Sequence, residues 1–284
     1  MIAITGATGQ LGRLVIAKLL ESVPANELVA VVRTPDKAAD LTALGVQVRR
    51  GDYTRPETLA DALAGVDKLL LISSSEVGQR VSQHVNAIAA AKAAGVKLLA
   101  YTSILHADTT PLGLGDEHRQ TETALAQSGL PVVLLRNGWY TENYAASIPA
   151  ALTYGVLLGS AGEGRIASAA RADYAAAAAA VLLKDDQAGK VYELAGDASY
   201  TLGDFAAAIA KQSGKPVAYQ DMPPADFAAA LKHAGLPEGL ADLLADSDAG
   251  ASRGGLFDDS RTLSTLIGRP TTPMAEVVRK ALTA

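Results

Sequence analysis

The sequence of 284 residues contains no cysteine, one tryptophan and few other aromatic residues, which together make up 5% of the chain. Without cysteine there can be no disulfide bond, no thiolate nucleophile and no cysteine-ligated metal. The chain has no apolar run long enough to cross a bilayer, so no membrane span is expected. It also has no basic cluster, and its net charge is −5. We therefore expect no binding to nucleic acid.

Targeting signals and metal-ligand patterns are also scarce. A strand-like segment begins at Met1, with no cationic leader before it, so we expect no export signal and a cytoplasmic location. The histidines at positions 84, 106, 118 and 233 lack the spacing of metal ligands, and we expect no metal. Hydrophobic residues make up 49% of the chain, enough for a sizeable core. The sequence does not determine the oligomeric state, and a homodimer is one of the arrangements that it allows.

A strand, a glycine-rich turn and a helix open the chain. After the apolar residues 1–5, apolar positions recur with helical spacing from residue 11 onward. Between them, Gly6 allows a tight turn, Gly9 lets the backbone approach a pyrophosphate, and Gly12 lets the helix pack close to the strand. The N-terminus of the helix adds N–H groups and a partial positive charge. The residues predicted to bind the pyrophosphate of a dinucleotide are Gly6, Ala7, Thr8, Gly9, Gln10, Leu11 and Gly12.

The residue after the second predicted strand indicates which dinucleotide binds. That strand covers residues 28–32 and is followed by Arg33. NAD sites usually have an acidic residue here that binds the ribose 2′-hydroxyl, whereas an arginine accommodates the 2′-phosphate of NADP. A guanidinium offers a planar fork to phosphate and stays charged at any working pH. We therefore expect NADPH; the alternative is an arginine that is simply solvated at a strand end.

Strand-like runs alternate with helical patterns as far as residue 136. Near-continuous apolar strands favour a parallel sheet covered on both faces. The predicted fold is α/β, a doubly wound parallel-sheet Rossmann fold with a smaller C-terminal α/β lobe. Further strands are predicted at residues 46–50, 68–72, 97–102, 132–136 and 191–194, and a helix at 171–183. Left-handed helix ends are predicted at Gly45, Gly65, Gly95 and Gly129.

The rhythm of strands and helices changes after residue 136, which predicts a domain boundary. We expect an NADP-binding Rossmann domain at residues 1–136, with residues 171–195 returning to its sheet. Residues 137–170 and 196–284 would form the smaller substrate lobe, beginning with a glycine-containing, loop-rich stretch. Residues 250–254 match the Gly-x-Ser-x-Gly elbow of hydrolases, but no histidine follows them, so we expect a flexible loop there.

Residues that leave the carboxyl ends of the strands are further site candidates, because ligands of such sheets bind there. Asp52 follows the third strand and either accepts from the adenine amino group or caps the next turn. Ser73, Ser74 and Ser75 follow the fourth, where hydroxyls and backbone amides can meet the ribose nearest the nicotinamide. The candidates after the sixth strand are Asn137, Gly138, Trp139, Tyr140, Thr141 and Glu142.

The sequence lacks the tyrosine with a lysine four residues later that short-chain carbonyl reductases use as an acid. Leu114 and His118 stand at the corresponding positions. Hydride addition to a quinone yields a phenolate-like anion with a pKa of about 10, as for tyrosine, which water can protonate unaided. A chain without this pair is therefore better suited to acceptors whose reduced anion is already stable, and we expect a quinone that takes hydride directly, without flavin. The candidate catalytic residues are Asn137, Tyr140 and His118, with His118 at most holding the ribose or a water.

Several segments, taken in order, carry a family resemblance. GATGQLG, VVRTPDKA, KLLLISSSEVGQR, AAKAAGVKLLAYTS and LLRNGWYTENY resemble the NmrA-like branch of atypical short-chain dehydrogenase/reductases. Within it, the chain is most similar to the bacterial type 2 NAD(P)H:quinone oxidoreductases, with triphenylmethane dye reductases as relatives. The resemblance implies that Arg33 binds the 2′-phosphate and that residues 73–75 and 137–142 line the nicotinamide. NmrA-like proteins also include redox sensors that bind a dinucleotide and regulate a partner protein, and this alternative stays open.

Overall fold

The structure is a computed structural model that describes residues 1–283. The strands are β1 (Ile2–Thr5), β2 (Leu28–Val32), β3 (Gln47–Arg50), β4 (Lys68–Leu71), β5 (Leu98–Ile104), β6 (Val132–Asn137), β7 (Val156–Gly159), β8 (Val191–Leu194) and β9 (Ala218–Asp221). The helices are α1 (Gln10–Leu19), α2 (Ala39–Ala43), α3 (Pro56–Ala62), α4 (Arg80–Ala93), α5 (Gly115–Ser128), α6 (Thr141–Ala145), α7 (Ile148–Tyr154), α8 (Arg171–Leu183), α9 (Leu202–Ser213), α10 (Pro224–His233), α11 (Glu238–Ser252), α12 (Thr262–Ile267) and α13 (Met274–Thr283).

Seven strands form the main sheet in the order β3-β2-β1-β4-β5-β6-β8. The first six strands along the chain pair in parallel, with Ile4 of β1 opposite Ala30 of β2 on one side and Leu70 of β4 on the other. The strand order reverses between β1 and β4, and such a switch point is where open α/β sheets bind ligands, beyond the carboxyl ends of the strands. The predicted doubly wound α/β fold is confirmed.

Helices cover both faces of this sheet, because successive side chains of a strand point to opposite faces. Ala3, Val29, Leu69 and Tyr101 face one side, where they form a buried cluster with apolar residues of α3, α4 and α5. On the other side, α1 and α8 pack against each other and contact strands of the sheet. All five residues of β2 are buried, which explains why its sequence is apolar throughout rather than alternating.

The local patterns place most elements of the sheet region correctly. The strands predicted at residues 28–32 and 191–194 and the helix at 171–183 have the observed bounds, and the remaining predicted strands differ by one or two residues at their ends. The predicted left-handed helix ends are also confirmed, with φ of +84° at Gly45, +68° at Gly65, +72° at Gly95 and +76° at Gly129. Only glycine adopts such angles at little cost.

The described chain divides into two compact units. The first unit consists of residues 1–104, 116–137 and 171–192, and it contains β1–β6 together with α1–α4, all of α5 but its first residue, and α8. The second consists of residues 105–115, 138–170 and the chain from Glu193 onward, and in it β7 and β9 form a parallel two-stranded sheet. A division of labour between a nucleotide domain and a substrate lobe stays a prediction. Among residues 1–283, no helix has both the length and the apolar character that crossing a membrane requires.

One expectation for the second unit is met only in part, and another is wrong. Residues 137–168, expected to be loop-rich, have irregular segments at 138–140 and 160–168 but also contain α6, α7 and β7. The expected flexible loop at residues 250–254 is largely helical, because α11 continues through Ser252. A β-carbon on Gly250 would lie 2.7 Å from Leu112 Cδ1, so close packing in the tertiary structure stabilises the helix at a residue with low helix propensity.

Candidate functional site

The glycine turn joins β1 to α1 with the geometry of an anion site. Gly6 has a φ of +59°, and its carbonyl oxygen accepts a hydrogen bond of 2.9 Å from the Gly9 amide. A β-carbon on Gly12 would lie 2.5 Å from that same oxygen and 2.7 Å from Ala7 Cα. The N-terminus of α1 therefore approaches the strand end more closely than any side chain at position 12 would allow, as the sequence predicts.

Within this turn, Gly6, Gly9 and Gln10 are exposed, Thr8 is half-buried, and Ala7, Leu11 and Gly12 are buried. Gly9 is the N-cap residue of α1, no side chain caps the helix there, and its first turn contains no acidic residue. The N-terminal end of a helix carries unpaired N–H groups and a partial positive charge, which favour an anion. The turn is therefore suited to hold the pyrophosphate of a dinucleotide.

Hydrogen bonds tie the carboxyl ends of β1 and β4 together at the switch point. The Thr5 hydroxyl donates to the Leu70 carbonyl at 3.1 Å and accepts from the Ile72 amide at 3.0 Å. The Tyr53 hydroxyl lies 2.5 Å from Thr5 Oγ1 and 3.0 Å from the Ile72 carbonyl oxygen. Burial raises the pKa of Tyr53, so its phenol stays neutral and acts here as a structural brace. Sequence reasoning did not identify this residue.

The loop after β4 is fixed by buried side chains beneath it. The Ser73 amide donates to Thr102 Oγ1 at 2.8 Å, and the Ser74 amide donates to His84 Nε2 at 2.9 Å. Burial lowers the pKa of His84 to about 3, so this nitrogen remains an acceptor at neutral pH. The guanidinium of Arg80 donates to the Ser74 carbonyl at 2.7 Å. Two of the backbone amides expected to meet the ribose are thus occupied by protein acceptors.

The carboxyl ends of β2 and β3 carry the residues predicted to bind the adenosine end. Arg33 Nη1 lies 2.6 Å from Glu76 Oε1, and both side chains are exposed. Asp52 Oδ1 accepts from the amide of Thr54 at 2.9 Å and from its hydroxyl at 2.8 Å. Partial burial raises the pKa of Asp52, the two hydrogen bonds lower it, and the net shift is downward. Asp52 therefore caps the turn, and its contact with adenine stays a prediction.

Asn137 ends β6 in the first unit, with its side chain buried. Its Oδ1 atom has no hydrogen-bond partner among the described residues. Such an orphaned acceptor is uncommon in folded proteins and indicates a missing donor, from a ligand or a water. Of the candidates that follow in the second unit, the Gly138 amide donates to the Leu194 carbonyl at 2.7 Å, and Thr141 Oγ1 lies 2.7 Å from Ser168 Oγ. Trp139, Tyr140 and Glu142 are half-buried.

His118 lies on α5 and is 5% exposed, away from solvent. Its Nδ1 atom is 2.7 Å from the hydroxyl of Tyr101. Burial lowers the pKa of His118 well below its usual value, and the nearby Arg80 charge lowers it further. The imidazole is therefore neutral at physiological pH, which makes it poorly suited to donate a proton. His118 is enclosed in the first unit as a packed hydrogen-bonding side chain.

The second unit contains a cavity of about 250 Å³ with mainly apolar walls. Trp139, Asn143, Tyr144, Leu231 and Asp248 are among its lining residues. Sequence reasoning found Trp139 but missed the others. Leu231 and Asp248 come from α10 and α11, far from Trp139 along the chain, and form no contiguous motif with it. Asn143 and Tyr144 had a local signal, since they end the segment LLRNGWYTENY that carries the family resemblance.

A buried carboxyl group lines this cavity. Asp248 Oδ1 accepts from the Tyr144 hydroxyl at 3.2 Å, and Oδ2 accepts from the Ser160 amide at 3.0 Å. Burial raises the pKa of Asp248 to about 6. The cavity thus combines aromatic and aliphatic walls with a carboxyl group that can be neutral or charged near physiological pH.

Comparison with known proteins agrees with these observations. A sequence model described as NAD(P)H-binding matches residues 6–185. Quinone oxidoreductase 2 from Escherichia coli strain K12 is 66% identical over 278 residues, which cover 98% of this chain and 97% of that protein.

Two solved structures are similar over nearly the whole chain. The Escherichia coli NADPH-dependent quinone oxidoreductase in complex with NADPH matches with a TM-score of 0.97 and 65% identity, covering 99% of this chain and 100% of that one. The Citrobacter sp. triphenylmethane reductase in complex with NADP(H) matches with a TM-score of 0.95 and 38% identity, with the same coverage.

Proposed function

The chain belongs to the NAD(P)H-binding family and, within it, to the group that contains quinone oxidoreductase 2 of Escherichia coli, and from that premise we propose that it reduces quinones with NADPH. The similarity to that protein over almost the full length of both chains carries the proposal. It agrees with the expectation from the sequence, where a dinucleotide turn occurs without the tyrosine–lysine acid of carbonyl reductases.

The first unit has the groups that a dinucleotide requires. The turn at residues 6–12 would hold the pyrophosphate through backbone N–H groups and the α1 dipole. The guanidinium of Arg33 would bind the 2′-phosphate, and the orphaned Oδ1 of Asn137 would accept from a donor of the bound cofactor. When bound, NADPH supplies a hydride. The contribution of the chain is then to orient two reactants, which by itself accelerates a reaction by several orders of magnitude.

The cavity of the second unit is the proposed site of the acceptor. At about 250 Å³ it exceeds the engineered cavity of roughly 150 Å³ that holds benzene. Its apolar walls suit a flat aromatic ring. The Tyr144 hydroxyl already donates to Asp248, so the group that could donate to a quinone oxygen is the Asp248 carboxyl in its protonated form. Trp139 lines the cavity and also belongs to the segment predicted to contact the nicotinamide. We therefore place a quinone ring there.

This assignment needs no acidic side chain for product formation. The reduced quinone anion has a pKa of about 10, like that of tyrosine, and takes its proton from water. The buried, neutral imidazole of His118 is consistent with such a mechanism. Asn137 and Tyr140 would then act by orienting the reactants rather than by proton transfer.

Steady oxidation of NADPH on addition of p-benzoquinone, with no flavin present, tests the function. We expect turnover with the quinone and little with a simple aliphatic ketone, because the alkoxide product of a ketone needs a positioned acid. Gly9→Val, which we expect to fold without binding NADPH, is the negative control and should show no turnover. A folded protein that binds NADPH tightly but oxidises none of it with any quinone would contradict the proposal, and that behaviour is expected of a redox sensor.

The fluorescence of Trp139 tests the acceptor site, because this residue is the single tryptophan of the chain and lines the cavity. Saturable quenching by p-benzoquinone is expected for the wild type. Ala230→Phe, at a lining residue of α10, should abolish the saturable part and raise the KM for quinone about tenfold. Ala229→Phe, at an exposed neighbour outside the lining, is the matched control. Equal quenching in both variants would place the quinone elsewhere.

The proposal also includes a cytoplasmic location and, as one arrangement, a homodimer. Light scattering during size-exclusion chromatography measures the molar mass directly. A mass near that of a single chain of 29.1 kDa would exclude the homodimer.

A further inference from the structure

A carboxylate stands beside the arginine that is predicted to bind the 2′-phosphate. Arg33 Nη1 and Glu76 Oε1 are 2.6 Å apart, although 43 positions separate the two residues along the chain. The other carboxylate oxygen, Oε2, accepts a hydrogen bond of 2.7 Å from the side-chain amide of Gln83. Neither the sequence motifs nor the proposed function gives Glu76 a role.

This carboxylate is held in place by a buried side chain of α4. Gln83 lies on α4 and is 3% exposed, so its amide is a fixed donor rather than a mobile surface group. The Glu76 amide donates to Ser74 Oγ at 3.2 Å, and Ser74 is itself anchored to His84. Orienting the Gln83 amide towards Glu76 leaves Gln83 Oε1 buried without a partner among residues 1–283. Hydrogen bonds with Gln83 and Ser74 thus hold Glu76 in position, whereas the carboxylates of most surface ion pairs have no such support.

A carboxylate at this position has opposite effects on the two nicotinamide cofactors. It accepts a hydrogen bond from the ribose 2′-hydroxyl of NADH, as the acidic residue after the second strand does in NAD-binding Rossmann folds. It repels the negatively charged 2′-phosphate of NADPH and neutralises part of the Arg33 charge that attracts this phosphate. Here the acidic residue comes from the loop after β4 instead.

We propose that Glu76 sets the preference between NADPH and NADH, by accepting the 2′-hydroxyl of NADH and by opposing the 2′-phosphate that Arg33 binds. The inference rests on the proposed function only in requiring that the chain bind a nicotinamide dinucleotide. The adenosine end of the site would then contain one group for each cofactor, the Arg33 cation for NADPH and the Glu76 anion for NADH.

Calorimetric Kd values for NADP⁺ and NAD⁺ test the role of Glu76. Glu76→Gln keeps the shape of the side chain and removes its charge. We expect NADP⁺ to bind about fivefold more tightly and NAD⁺ about threefold more weakly. Glu21→Gln is the control. Glu21 lies just beyond the C-terminal end of α1 and pairs with Lys18, so this substitution removes the same charge at a different site. Its two Kd values should change by less than about twofold.

Smaller probes and a double variant separate direct effects from indirect ones. Adenosine 2′,5′-bisphosphate and 5′-AMP contain only the adenosine end, and Glu76→Gln should favour the bisphosphate as it favours NADP⁺. When Glu76→Gln is introduced into the Arg33→Met variant, the increase in NADP⁺ affinity that it causes should be at most half of the increase in the wild type. The Glu76 carboxylate then has no guanidinium to neutralise.

Three outcomes would overturn the inference. Equal loss of NADP⁺ and NAD⁺ affinity in Glu76→Gln would show that Glu76 only holds the loop, and weaker NADP⁺ binding would show that it preorganises Arg33. Unchanged affinities would exclude any role. If the wild type binds both cofactors but reduces no quinone, the proposed function fails while this test remains valid.

Discussion

The hydroxyl of Tyr101 and Nδ1 of His118 lie 2.7 Å apart in the interior of the first unit. Burial raises the pKa of the phenol and lowers that of the imidazole, so both groups are neutral near pH 7. The pair therefore links β5 to α5 by a hydrogen bond between uncharged partners. A tyrosine and a histidine in contact often indicate acid–base chemistry, but here both lie in the packed core.

Replacing His118 with alanine should lower quinone turnover by less than about tenfold, because no proton passes through a buried neutral imidazole. The kcat of the wild type should be nearly constant from about pH 6 to 8, a range that includes the ordinary histidine pKa of about 6.5. Tyr101→Phe, which removes the partner hydroxyl, should behave like His118→Ala. A thousandfold loss of kcat in a folded variant with unchanged NADPH affinity would identify His118 as the acid.

Arg33→Asp should weaken NADPH binding by at least tenfold while sparing NADH, because a charge-assisted contact with the 2′-phosphate is lost. Calorimetric titration with each cofactor measures the difference. Lys92→Asp introduces the same change in charge at an exposed position in the last turn of α4 and serves as the control. Equal weakening of both cofactors by Arg33→Asp would show that this arginine acts on the fold of the site rather than on the phosphate.

Two glycines of the turn should respond differently to a side chain. Gly9 has an ordinary extended conformation, and a β-carbon there would lie 3.1 Å from the Gly6 carbonyl oxygen, so Gly9→Val should fold but not bind NADPH. Gly12→Ala should instead destabilise the fold by roughly 1–3 kcal/mol, since its β-carbon overlaps backbone atoms at 2.5 and 2.7 Å. Thermal unfolding and calorimetry on both variants check this. Unchanged NADPH affinity in folded Gly9→Val would contradict the pyrophosphate assignment.

Asp248 should make stability depend on pH in the direction opposite to most carboxyl groups. Its pKa rises from 3.8 to about 6 on folding, so the native state binds more protons than the unfolded state between these values. The contribution to the free energy of unfolding is fully present below about pH 4 and is lost as the pH rises through 6, on the order of 3 kcal/mol. The difference in melting temperature between wild type and Asp248→Asn, measured from pH 4 to 7, isolates this effect. A difference that is independent of pH would exclude it.

The sequence was most informative where contacts are local. The strand, turn and helix at residues 1–19 and the four glycine helix ends follow from spacing and backbone freedom within a few residues. Alternation of apolar strands and helices then determined the α/β fold, because parallel strands require crossover helices. These features depend on short-range geometry that a linear pattern records.

Pairs that the tertiary fold brings together could not be predicted in this way. Glu76 meets Arg33 across 43 positions, and Asp248 meets Tyr144 across 104. Nothing in the local sequence of either acidic residue distinguishes it from a solvated carboxylate. The helix through Gly250 was missed for a related reason, since its stability depends on packing against the distant Leu112. Most of the glycine turn was therefore predictable, whereas the lining of the cavity in the second unit was not.

The uncapped start of α1 connects cofactor level to heat resistance. Because the N-cap residue of α1 is Gly9, which has no side chain, the first turn of this helix lacks a capping hydrogen bond that is typically worth about 1 kcal/mol. A bound pyrophosphate would supply the missing acceptors, and ligand at a hundred times its Kd adds about 2.7 kcal/mol to the free energy of unfolding. The protein should consequently unfold at a higher temperature, and resist proteolysis better, when NADPH is present well above its Kd.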